Sequence, residues 1–195
     1  SSVSFLDNEA RRTDTLLDVN LNPLFSAPRI NMVYKGLHGP YFITYQKNRT
    51  EIISADTLKP VYVVDPEQEF TYFDGEVLIV YGENAQTGEE TMRLLDVDGN
   101  ELFCAEDLIS AQPQSSKARA EQFLAVEAET AMVIDRNGQV LKSQTIPGLS
   151  GLYCDREGFY FYEAYNPEGK IRTGMLDATL QIVIPAETYE TLAIA

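Results

Sequence analysis

Apolar positions along this chain fall in short clusters, not at helical spacing. Runs such as Val77-Leu78-Ile79-Val80-Tyr81, Phe123-Leu124-Ala125-Val126 and Phe159-Tyr160-Phe161-Tyr162 are apolar at successive positions. Runs of this length, rich in β-branched and aromatic side chains, predict strands buried on both faces. Val3-Ser4-Phe5-Leu6 and Phe42-Ile43-Thr44-Tyr45 are the matching runs nearer the N-terminus. A strand packed between two neighbouring sheets requires that pattern. A sandwich strand with one wet face does not.

A polar turn follows each run, then a second apolar stretch that ends at an acidic residue and a turn. The clearest copy is Leu94-Leu95-Asp96-Val97-Asp98-Gly99-Asn100-Glu101-Leu102-Phe103. Asp-Gly between apolar runs is a strong hairpin signal, because Gly99 takes positive φ without a Cβ clash. The same stretch recurs around Asp18, Ala55, Asp135 and Asp177, with successive markers 37, 41, 39 and 42 residues apart. Gly99 and Gly138 give way to Leu21, Leu58 and Leu180 in the other copies, which predicts a different route round the turn there, through a longer or bulged loop.

A period of about 40 residues with several strands per unit is what propeller blades show. The fourth strand of each unit is expected at Ile30-Asn31-Met32-Val33-Tyr34, at Glu69-Phe70-Thr71-Tyr72-Phe73 and, more weakly, at Leu149-Ser150-Gly151-Leu152-Tyr153-Cys154. In the third gap Ala105-Glu106-Asp107-Leu108-Ile109 reads as a helical turn, followed by an exposed loop over 112–117. The first unit lacks a preceding strand, and the last runs on to Leu192-Ala193-Ile194. The expected fold is therefore all-β: one repeat domain over 1–195, a small five-bladed β-propeller closed by its C-terminal strand. An open β-solenoid is the alternative, although Leu192-Ala193-Ile194 would make a poor polar cap.

The last unit carries a likeness to a known family. Gly174-Met175-Leu176-Asp177, Ile182-Val183-Ile184-Pro185 and Tyr189 resemble the WG β-repeat of bacterial proteins, with Asp74-Gly75 and Glu157-Gly158-Phe159 echoing its acidic-Gly part. The chain has no Trp, and the family's Trp position is held by Asp14, Met92, Ala131 and Thr173. The resemblance implies an exported or surface-associated bacterial repeat protein and supplies no catalytic residues.

Charge narrows the partners. Thirty acidic against 15 basic residues give a net charge of −15, which repels phosphate backbones and anionic membranes and keeps a β-rich monomer soluble. No apolar run reaches the ~18 residues of a membrane helix. The chain begins Ser1-Ser2, without Met, so a removed export signal is compatible with it. Cys104 and Cys154 stand in apolar runs and read as two buried thiols, with a single disulfide as the alternative.

Candidate chemistry is sparse. With one histidine, His38, a Cys/His zinc site is excluded, and no cofactor is expected. Asp96-Val97-Asp98-Gly99-Asn100 lacks EF-hand spacing, so its carboxylates are expected to serve the turn. The binding lead is Tyr34, Tyr72 and Tyr153, which fall 16, 17 and 18 residues after their markers. Equivalent aromatics on one face could stack on sugar or anchor a peptide; packing between blades is the competing role. The expected function is a non-catalytic binding or scaffolding module for a protein or carbohydrate ligand, with a carbohydrate-binding or glycoside-hydrolysing propeller as the alternative.

Overall fold

The structure is a computed structural model and describes residues 2–6, 12–36, 39–46, 49–83, 87–110, 119–154 and 159–186. Among these every regular element is a strand. The first sheet holds β1 (Ser2–Leu6), β2 (Arg12–Leu17) and β3 (Pro23–Ala27). The second holds β4 (Ile30–Gly36), β5 (Gly39–Gln46), β6 (Arg49–Ser54) and β7 (Pro60–Val64). The third holds β8 (Glu69–Phe73), β9 (Val77–Glu83), β10 (Glu90–Asp96) and β11 (Glu101–Ala105). The fourth holds β12 (Asp107–Ser110), β13 (Gln122–Glu127), β14 (Thr130–Asp135) and β15 (Val140–Thr145). The fifth holds β16 (Leu149–Cys154), β17 (Tyr160–Tyr165), β18 (Ile171–Leu176) and β19 (Ile182–Ile184). Strands lie side by side in chain order in every sheet, the antiparallel meander that short polar turns allow.

Burial follows the hydrophobic pattern. Four consecutive residues are buried in β5, β9 and β13, and three in β17, so the second strand of these sheets is covered on both faces, as its unbroken apolar run requires. Last strands are wetter: all six residues of β15 are exposed. The chain divides into two compact units, residues 1–82 with 95–100, and residues 83–94 with 101–195. In the first, Tyr41, Ile43, Ile52, Phe73, Leu78 and Leu95 belong to one core cluster, and Tyr41 meets Phe73 edge to face at 5.7 Å. In the second, the core gathers Leu124, Val133, Leu149, Leu152, Tyr162 and Leu180. Each such fully buried aliphatic or aromatic side chain is worth about 2 kcal/mol. Gly174 has a packing role here: it pairs with Tyr162 in register, and a Cβ on it would fall 2.3 Å from the Tyr162 ring. The ring covers the glycine, and its hydroxyl accepts the Ala186 N–H at 2.9 Å.

One expectation needs correction and a second is met in part. Asp107–Ser110 is a strand, not part of a helical turn: Leu108 pairs with Ala125 and is buried. A helix of one turn cannot offset its nucleation cost, whereas the edge of β13 offers a ready ladder. The leucine copies of the hairpin turn are bulged, as expected, and the Leu58 copy is also longer, but the bulge is shared with the Gly138 copy. Leu21, Leu58 and Leu180 adopt positive φ themselves, at 65°, 56° and 66°, where Gly99 and Gly138 stand at 85° and 80°. The N–H of Asp18, Asp96, Asp135 or Asp177 bonds the carbonyl four residues on, at 2.9–3.0 Å. Only the Ser54 copy is longer, bonding Lys59. A register shift beside the turn occurs in the copies with Leu21, Leu58 and Leu180 and equally in the copy with Gly138. This is a turn closed by one left-handed residue and a bulge. The predicted polar loop over 112–117, His38 and the C-terminal strand at 192–194 lie outside the described residues.

Candidate functional site

The three tyrosines singled out by spacing all fall in the first strand of their sheets. Tyr34 opposes Tyr41, Tyr72 opposes Ile79 and Tyr153 opposes Phe161. The Tyr34 side chain is outside the described part. Tyr72 is half-buried, and its hydroxyl donates to Asp74 Oδ2 at 2.9 Å, while Asp74 Oδ1 accepts the N–H groups of Glu76 and Val77. Tyr153 is 38% exposed and lies parallel to the buried Phe161, ring centroids 5.4 Å apart and planes 14° apart. Burial and the Glu163 charge push its phenol pKa up, against a hydrogen bond with Thr173. Tyr34 and Tyr72 belong to the first unit and Tyr153 to the second. Tyr72 hydrogen-bonds within its own turn, and Tyr153 is engaged by Phe161 and Thr173 of its own sheet.

The repeated acidic residues are turn ligands. Asp96 Oδ1 accepts the N–H groups of Asp98 and Asn100 while Oδ2 accepts Asn100 Nδ2. Asp18 makes the same set with Asn20 and Asn22. Its pKa is lowered chiefly by the Asn22 side chain and backbone, as hydrogen bonds to an ionised carboxylate require. Among the described residues no group of three or more His, Cys, Asp or Glu converges to hold a metal. Cys104 and Cys154 are free thiols, both half-buried. Burial raises the Cys104 pKa, which disfavours the thiolate and nucleophilic use.

A different feature of the second unit has the shape of a site. An open cleft of about 310 Å³ is lined by Pro147, Gly148, Ala164, Tyr165, Asn166, Pro167, Arg172 and Ala186. Two turns build it. In Ile146-Pro147-Gly148-Leu149 the Leu149 N–H bonds Ile146 O at 3.0 Å, and Gly148 has φ +74°. Pro followed by Gly at positive φ is the signature of a type II turn. A Cβ on Gly148 would lie 2.4 Å from the Tyr165 carbonyl oxygen, and Gly148 O accepts the Tyr165 N–H at 2.7 Å. In the second turn Asn166 Oδ1 accepts the N–H groups of Glu168 and Lys170, which leaves its Nδ2 as the donor group. Glu129 braces the first wall: its Oε1 accepts the Gly148 N–H at 3.1 Å and its carbonyl the Ile146 N–H. Ala128 and Glu129 both have positive φ, a strained two-residue hairpin for side chains other than Gly or Asn, offset by these two bonds.

The lining is apolar surface edged by donors. Tyr165 is 52% exposed, and Arg172, opposite Ala164 in register, supplies the one charged group among the eight. Sequence reasoning identified the Asn166-Pro167-Glu168-Gly169 turn but missed the cleft. The available signal was the pairing of Leu149 with Ala164, which brings the Pro147-Gly148 and Asn166-Pro167 turns to one end of β16 and β17.

No known family's sequence profile matches the chain, and no curated protein matches it in sequence. Solved structures do. The chain is similar to a eukaryotic initiation factor at 13% identity with a TM-score of 0.56, covering 97% of this chain and 52% of that one. It thus spans about half the length of that factor, and at this identity the likeness is one of fold alone. Similarities at TM-scores of 0.41 and 0.32 are found with Hsv2 of Kluyvelomyces marxianus (7% identity, 89% of this chain and 56% of that one) and with the β-propeller domain of Myceliophteria thermophila Cps50 (Swd1) (12% identity, 96% and 65%).

Proposed function

We propose that this chain is a non-catalytic binding or scaffolding module that acts at the outer surface of a bacterium, built as a five-bladed propeller of WG-like repeats. The turn shared by the copies around Asp18, Asp96, Asp135 and Asp177, and the second strands buried on both faces, support the blade reading. Among the described residues the first sheet has three strands where the other four have four, which suits completion by the C-terminal strand. Deleting residues 189–195 should then lower Tm by several degrees, and an unchanged Tm would refute strand closure.

The cleft carries the binding reading. Its surface of proline, alanine and tyrosine with Asn166 and Arg172 at hand is suited to holding a ligand. Among the described residues that line it there is no pair of carboxylates of the kind glycoside hydrolysis requires. Of the tyrosines read from the sequence, Tyr72 is hydrogen-bonded to Asp74 and Tyr153 lies on Phe161, so the proposed contact is Tyr165 in the cleft. The test is a screen of the full chain against glycan and peptide arrays. Hits that vanish in Tyr165→Ala support the reading; hits indifferent to that change would remove the cleft from it.

A further inference from the structure

We infer that the Tyr41 hydroxyl, with the Asp56 and Asp98 carboxylates, forms a binding site for a primary ammonium group, that of a lysine side chain or an aliphatic amine. This goes beyond the reading of the cleft and does not rest on it. Tyr41 stands near the start of β5, and only 3% of it is exposed. Its ring packs edge-on against Phe73, yet among the described residues the hydroxyl has no hydrogen-bond partner. The unpartnered side-chain atoms sealed from solvent are Thr44 Oγ1 and Gln68 Oε1. The Tyr41 oxygen is not one of them, so the buried ring brings an open polar tip to the surface.

Three turns gather around that tip. The Ala55 N–H bonds Pro40 O at 2.9 Å, which sets the β6–β7 turn beside the start of β5. There the Asp56 carboxylate lies over Gly39, where a Cβ would stand 2.9 Å from Oδ2. Phe73 leads straight into the Asp74-Gly75-Glu76 turn. The Tyr62 ring of β7 lies against Gly99, 3.0 Å from where a Cβ would be, and so brings in the Asp98 turn. All these residues belong to the first unit. Asp56 and Asp98 are exposed, and among the described residues neither carboxylate is in an ion pair or a hydrogen bond. Glu76 has an interaction of its own and adds only to the field. Burial first, and then the charges of Asp98, Asp56 and Glu76, push the Tyr41 phenol pKa up. The field that opposes a phenolate favours a cation at the same place. The acceptors arrive one per turn, and no three acids among the described residues converge to hold a metal. An ammonium suits them, because its three donors radiate from a compact charge. A guanidinium is a planar fork best met by both oxygens of one carboxylate.

Titration of the labelled full chain with N-acetyl-lysine methylamide, followed by amide chemical shifts, is the experiment. Saturable shifts are expected over residues 39–41, 55–57 and 98–99. The Nε-trimethyl form of the probe keeps the charge but loses every N–H donor, and should bind about tenfold more weakly. Tyr41→Phe keeps the ring on Phe73 and leaves the net charge alone; it should also cost about tenfold, with Tm unchanged. Asp56→Asn together with Asp98→Asn should cost about fivefold. Glu89→Gln with Glu90→Gln removes the same charge from groups that do not act on the phenol, and should cost under about twofold. Butylamine separates the sources: equal binding marks a free amine and weaker binding a peptide lysine, and both uphold the site. Equal binding of the trimethyl form, indifference to Tyr41→Phe, equal losses in the two charge variants, or no binding of either amine would overturn it.

Discussion

The two ends of the β16–β17 pair carry one aromatic motif put to different uses. At one end Tyr153 lies flat on buried Phe161, its ring largely spent on its own sheet. At the other, Tyr165 is more than half exposed beside two turns, a donor amide and a guanidinium. Both are tyrosines of the same sheet. What distinguishes them is what lies beside them: the Tyr153 ring rests on Phe161, whereas Tyr165 stands where the ladder gives way to the Pro147-Gly148 and Asn166-Pro167 turns. One ring is covered by its own sheet and the other is left open beside the cleft.

Changes at the turn end should have the largest effects. Gly148→Ala places a Cβ against the Tyr165 carbonyl at positive φ and should cost about 2–5 kcal/mol from left-handed strain and overpacking together, read by chemical denaturation. A mild loss would mean that the two turns are not locked as described. Leu180→Gly, in the β18–β19 turn, removes a fully buried side chain but relieves left-handed strain; the net loss should be about 1–3 kcal/mol. Tyr153→Leu keeps apolar volume and gives up the stacked geometry, at about 1 kcal/mol, with ligand binding unaltered. Lost binding in that variant would reverse the roles of the two ends.

The smallest effect is in acid. The Asp177 carboxyl is held below its ordinary pKa, first by the Thr179 hydroxyl and then by the backbone of Gln181 and Thr179. A depressed folded pKa means stability that is present above the unfolded value of about 4 and is lost as pH falls through the folded one. Asp177→Asn keeps the acceptor, as Asn166 does in its own turn. Melts from pH 5 to pH 2 should therefore show a shallower acid limb in the variant, and identical limbs would sever the carboxylate from turn stability.

Much of the fold was legible because its rules are local. Unbroken apolar runs marked the doubly covered strands, and Asp with a left-handed partner marked the hairpins. Strands β8 and β16 were located to the residue. The leucine turns were read correctly as bulged, but their likeness to the glycine turns was missed because glycine was taken as the requirement. The position demands positive φ, and Leu180 meets that demand through burial, while Leu21 does so at 69% exposure, held by the Asp18 bonds. The helical turn proposed near Leu108 failed for the complementary reason: pairing with β13 outweighed a local tendency. The cleft was illegible because spacing equates residues by repeat, and a cleft depends on two turns that meet only through strand register. Tyr153 drew attention by its spacing; Tyr165 matters by its place.

The central claim is that this turn end is the binding end. Amide chemical shifts of the labelled full chain during titration with a glycan or peptide that the arrays identify test it most directly. The account predicts saturable shifts confined to residues 147–148, 164–167 and 172. Shifts centred on Tyr153 and Phe161, or a spectrum unchanged at millimolar ligand, would contradict it.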